Sequence, residues 1–172
     1  VAFSATEWCG QSFTQLNRRA EGWQAREFSY FQSPGDIEKT LAAVPSENGL
    51  WLRLRLDPAS LPVGDCQLVP DLAWVRLTHQ TLAPMAAQAT LADEPAVAGQ
   101  PAMRRYTVHY PETKRTLTLH FRAQFPYLIE GWEESYPGGQ GGALVTTRAT
   151  RTHSRMLPYW ERHNPADLAL RP

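Results

Sequence analysis

The chain has 172 residues, 42% of them hydrophobic and 20% charged, a composition that folds rather than one that stays disordered. Seventeen Lys and Arg balance seventeen Asp and Glu, so the formal net charge is zero. This removes the clustered positive charge on which nucleic-acid binding rests, and any global attraction to anionic membranes.

The start, Val1-Ala-Phe-Ser-Ala5, has no signal-peptide pattern and reads as a cut end. Glu7–Arg18 and Trp23–Phe31 read as strands flanking a hairpin turn at Glu21-Gly22. Asp36 is placed to cap a short helix running to Val44 and stopped by Pro45. Leu50, Leu52, Leu54 and Leu56 alternate with Trp51, Arg53 and Arg55, which predicts a strand. Pro58–Pro62 is a tight connector, and Gly64-Asp-Cys-Gln67 is a turn entering a strand. Leu72–His79 and Leu82–Leu91 read as a further strand pair, with Pro84 marking an edge or a bulge. Asp93–Pro101 is a polar loop.

Met103–Arg122 carries the strongest signal. Around the turn Pro111-Glu-Thr-Lys114, pairing Tyr110 with Arg115 sets Val108 against Leu117, Tyr106 against Leu119 and Arg104 against Phe121. Tyr106, Val108, Tyr110, Leu117, Leu119 and Phe121 then share an apolar face, while Thr107, His109, Thr118 and His120 share a polar one. A one-residue slip would mix the two. Tyr127–Tyr136 and Ala143–Thr152 form another pair, joined by the loop Pro137–Gly142. Asn164-Pro-Ala-Asp167 offers a cap for a helix of one or two turns.

These elements predict an all-β, mainly antiparallel fold, as a strongly curved sheet or open half-barrel with one or two short helices, in a single β-rich domain spanning 1–172. No apolar run approaches the roughly 20 residues that cross a bilayer, so a transmembrane helix is not expected. The phosphate-loop, dinucleotide, nucleophile-elbow and His-Glu-x-x-His motifs are absent, and no cofactor or metal is implied.

Three chemistries remain to be weighed. Cys9 sits beside Glu7, whose carboxylate raises a thiol pKa, so it reads as a small wall residue rather than a nucleophile. With Cys66 it could form one bridge or remain one of two free thiols. On a regular strand Glu130, Trp132 and Glu134 share a face, a geometry suited to a sugar platform or an acid pair. His163 follows Trp160 and precedes the helix cap. A curved sheet lined by aromatics would present Trp8, Cys9, Glu130, Trp132, Trp160 and His163 to an apolar ligand; catalytic residues are not assigned. A hydrolase built on Glu130, Glu133 or Cys9 is the alternative, and would require two of them, or one and a histidine, to converge.

Several strings in order, among them Glu7-Trp-Cys-Gly-Gln11, Leu50-Trp-Leu-Arg53, Leu61-Pro-Val-Gly64, Gly131-Trp-Glu-Glu134 and Tyr159-Trp-Glu-Arg-His163, resemble a family of bacterial envelope proteins known from the Bacteroidetes. Its members carry the label "septum formation inhibitor Maf". True Maf proteins are nucleotide pyrophosphatases of α/β fold, whose alternation and motifs are not found here. The resemblance implies an exported protein of the periplasm or outer membrane, often lipid-anchored and extending further upstream. It supplies no catalytic residues. The expected function is non-catalytic: binding of an apolar small molecule or a protein partner on the curved sheet, or pairing through open sheet edges as an interaction module.

Overall fold

A computed structural model describes residues 1–8, 10–32, 35–138 and 142–170. Cys9, with the question of its pairing, and the centre of the Pro137–Gly142 loop lie outside the described residues. The fold is mainly antiparallel β, in two sheets that do not close into a barrel. The first is a meander of β1 (Ala2–Glu7), β2 (Gly10–Arg18), β3 (Trp23–Ser29) and β4 (Ile37–Leu41). The second contains β5 (Gly64–Leu68), β6 (Met85–Asp93), β7 (Met103–Tyr110), β8 (Arg115–Arg122), β9 (Ile129–Pro137) and β10 (Leu144–Thr150), paired in that order. Helix α1 (Glu47–Leu56) joins the sheets, and α2 (Leu72–Leu77) lies between β5 and β6. No helix is long and apolar enough to cross a membrane.

The β7–β8 hairpin has the predicted register throughout: Tyr110 pairs with Arg115, Val108 with Leu117 and Tyr106 with Leu119. Its apolar face is buried against Leu50 and Leu54 of α1. A second core joins Leu16, Ala25 and Leu41 of the first sheet to Leu72, Trp74 and Val75 of α2. Each sheet therefore buries one face against one short helix.

Four segments depart from their predicted form. Leu50–Leu56 is helical, not extended. Leu50 and Leu54, one turn apart, are buried, whereas Leu52 and Leu56 are 71% and 77% exposed. Ser46 caps this helix by accepting the Gly49 N–H, with Glu47 in the first turn and Arg53 and Arg55 in the last, the charge order that suits the helix dipole. Leu72–Leu77 is also helical, capped by the Asp71 carboxylate on the Trp74 N–H at 2.8 Å. The predicted 36–44 helix is instead edge strand β4, whose Ile37, Lys39 and Leu41 share a face and pair along β3. The predicted strand from Glu7 to Arg18 is broken, because Glu7 pairs with Gly10 and the chain turns through Trp8. Near the C-terminus the Asn164 segment forms a short 3-10 helix, Pro165–Leu170.

The connections around α1 and α2 are tightly held. Glu47 N–H donates to the Val69 carbonyl, and Val69 N–H donates to that of Pro45. Asn48 accepts the Leu72 N–H and donates to Asp71, so the first turns of the two helices are latched together.

Candidate functional site

The structure does not gather the five described residues among the six singled out from the sequence; the sixth, Cys9, lies outside the described residues. Trp8 is in the β1–β2 turn and is 100% exposed. Trp160 and His163 are exposed on the C-terminal segment, where Trp160 meets the Tyr159 ring edge-on. Trp132 packs edge-on against Trp51, over the core beneath the second sheet. Glu130 does not share its face with Trp132 and Glu134. A register shift between His120 and Phe121 pairs Phe121 with Ile129, so the expected alternation breaks at Glu130. Its carboxylate bonds to Arg122 and, through both oxygens, to Arg151. Desolvation raises the Glu130 pKa, but the Arg151 and Arg122 guanidiniums outweigh it and hold the carboxyl below its usual range. A carboxylate held ionised in this way is a poor general acid. Glu133 is paired with Arg148. Cys66, half-buried on β5, has its thiol pushed up by burial and then by Asp65, the opposite of what a nucleophile needs. Among the described residues, no three His, Cys, Asp or Glu side chains converge to hold a metal ion.

Gly131 sits where β9 lies close against the β10 backbone. A Cβ there would stand 2.7 Å from the Ala149 carbonyl oxygen, so the glycine serves strand packing rather than a ligand.

The sequence reading missed two features. The first is a buried ionic cluster. Arg115, 1% exposed, makes two 2.6 Å bonds to the Glu47 carboxylate, itself 1% exposed, and a third to Glu134. Tyr110 donates its hydroxyl to Glu47 at 2.6 Å. The Arg115 guanidinium lies 5.0 Å from the centre of the Trp74 ring and 5.2 Å from that of Tyr110. Burial works against its charge, but Glu47 and Glu134 overcome that and raise its pKa; burial and then Glu47 raise that of Tyr110. The predicted pairing of Tyr110 with Arg115 already placed the arginine on the apolar face, and that was the signal for a buried charge requiring a partner. With all three guanidinium nitrogens of Arg115 bonded to carboxylates and the group buried, the cluster is structural.

The second feature is a cleft of about 500 Å³ between the first sheet and α2. The inner face of β2–β4 changes character along its length. At one end Leu16, Ala25 and Leu41 fill the core. At the other, Ser12, Thr14, Ser29, Glu27, Ile37 and Lys39 continue the same face and line the cleft. These short or polar side chains leave the sheet and helix apart. Leu72, Val75 and Leu82 supply an apolar opposite wall, with Arg76 and His79 at its end. The polar groups are held in place: Lys39 bonds Glu27 at 2.9 Å, and Arg76 bonds Ser12 Oγ at 3.0 Å and faces Glu7 at 3.6 Å. None of the five described residues predicted for the site lines this cleft. The helical spacing of 72, 75, 76 and 79 would have found its wall, had 72–79 not read as a strand.

Compared with known proteins, the chain matches no family model, no curated sequence and no solved structure.

Proposed function

We propose that this chain is a non-catalytic binding protein that holds a small, mainly apolar, amphipathic ligand in the cleft between β2–β4 and α2. One observation carries the reading: the core face of the first sheet opens into a cleft instead of closing on α2. An apolar wall with a few fixed polar groups is the usual make-up of small-molecule sites. The ligand's apolar body lies against Leu72, Val75, Leu82 and Ile37, with its polar end at the Glu27–Lys39 pair. The envelope setting implied by the family resemblance suits such a ligand, and export is part of the proposal.

The test is native mass spectrometry on the protein purified from its own cells, beside a Thr14→Trp variant that fills the cleft. The expected result is an extra mass of roughly a few hundred daltons, the size such a cleft encloses, lost on denaturation and absent from the variant. A ligand-free protein, or one whose adduct survives Thr14→Trp, removes the cleft from consideration. A protein-sized excess would instead favour pairing through an open edge such as β10, which is exposed at most of its residues.

A further inference from the structure

Scattered exposed apolar side chains are ordinary, but a cluster calls for an explanation. Here three aromatic side chains collect at one end of the first sheet. Trp8 is at the tip of the β1–β2 turn, fully exposed. Tyr30 follows β3 directly, and its N–H donates to the Gln11 carbonyl at 2.9 Å. The Tyr30 ring covers Gly10, where an added Cβ would stand 2.8 Å from the ring; Gly10 also has φ +149°, a conformation side chains disfavour. Phe31 meets Tyr30 edge-on at 5.8 Å. Tyr30 is 76% exposed and Phe31 39%. The backbone thus builds and supports an aromatic ledge whose outer rings, Trp8 and Tyr30, bury little of their own surface. Phe31 also lines the cleft, so the outermost end of the sheet is the cleft's lip.

We infer that this ledge docks on the surface of a zwitterionic lipid bilayer, and that the cleft takes an acyl-chain lipid entering over Phe31. The lipid assignment rests on the cleft reading above; the docking does not. Trp and Tyr settle at the bilayer interface because an apolar ring carries a polar tip, and Trp8 and Tyr30 are presented together and unburied. Charge selects the type of surface. Both cations that line the cleft are engaged, Lys39 by Glu27 and Arg76 by Glu7 and Ser12, and the chain's formal charge is zero. Among the described residues that line the cleft, anionic headgroups therefore meet no cation without a partner, whereas a zwitterionic surface asks for none.

The experiment uses the full chain and phosphatidylcholine vesicles, some made with bromine-labelled acyl chains that quench tryptophan on contact. A Trp160→Phe background removes the exposed C-terminal indole. The chain is expected to float with the vesicles and to lose Trp8 emission on brominated ones. Trp8→Ala should weaken partitioning about tenfold, since it removes one large ring from the contact without disturbing a packed residue. Thr14→Trp should float normally but carry no lipid away on re-isolation. No flotation, equal flotation of Trp8→Ala, or flotation only when phosphatidylglycerol is added overturns the docking. Flotation of the parent chain without lipid uptake leaves the docking standing and overturns the lipid assignment, while the cleft reading stands or falls on the native mass measurement with Thr14→Trp.

Discussion

Glu130 shows how little a carboxylate's position along a strand says about its role until its partners are known. Its neighbours Trp132 and Glu134 suggested a catalytic or sugar-facing platform, but the register shift turns it toward two arginines. The consequence is measurable. Its pKa in the folded state lies below the ordinary value near 4.5. A carboxylate depressed on folding contributes stability that is present above its unfolded pKa and lost as pH falls through the folded one. Glu130→Gln should therefore lower the urea midpoint at pH 7, and the gap to the parent protein should close progressively below pH 4.5. A gap that persists unchanged to pH 2 would mean that the charge of Glu130 is not what the arginines stabilise.

At the scale of elements, the antiparallel architecture was legible wherever one strand could be checked against another. The β7–β8 register emerged intact because two apolar faces had to agree across a turn. No such check existed for single segments. Leu50–Leu56 alternates like a strand, and only its ends, Ser46 with Glu47 at the start and Arg53 with Arg55 near the finish, carried the helical signal. Leu72–Leu77 is too short for periodicity to decide, and Asp71 was its sole marker. The cleft was hidden with it, since one wall is the face of that helix. Asp71 caps α2 and also accepts from Asn48, tying the two helices together. Asp71→Ala should cost more than the roughly 1 kcal/mol of a typical cap, and Ser46→Ala, which loses a single cap bond, about that amount. Denaturant melts of the two variants compare them directly; equal losses would show that the Asn48 contact adds nothing.

For the whole molecule the decisive feature is the Glu47–Arg115 pair. Arg115 stands on the second sheet and Glu47 at the head of α1, while the Trp74 ring beside the guanidinium belongs to the core beneath the first sheet. One side chain thus touches both halves of the interior. Arg115→Met leaves the buried Glu47 carboxyl without its main partner and should destabilise the protein by about 3–5 kcal/mol in urea. Arg115→Lys should recover little, because an ammonium cannot reproduce the bidentate pairing while also reaching Glu134. A loss under about 1 kcal/mol for Arg115→Met would show that the site rehydrates freely.

The same pair bears on how the chain reaches and leaves its native state. Glu47 and Arg115 are 68 residues apart, so joining them closes a long loop whose entropy is repaid only once both cores have assembled around it. The β7–β8 hairpin, by contrast, closes over a four-residue turn and needs no distant partner. On loop-closure entropy the hairpin is expected in the folding nucleus and the ion pair after the barrier, an order that folding kinetics test. A contact formed late acts on the escape rate alone. In a chevron plot Arg115→Met should leave the refolding limb nearly in place and raise the unfolding limb, whereas Val108→Ala should slow refolding. The buried arginine would then be, before anything else, the element that sets the lifetime of the folded protein.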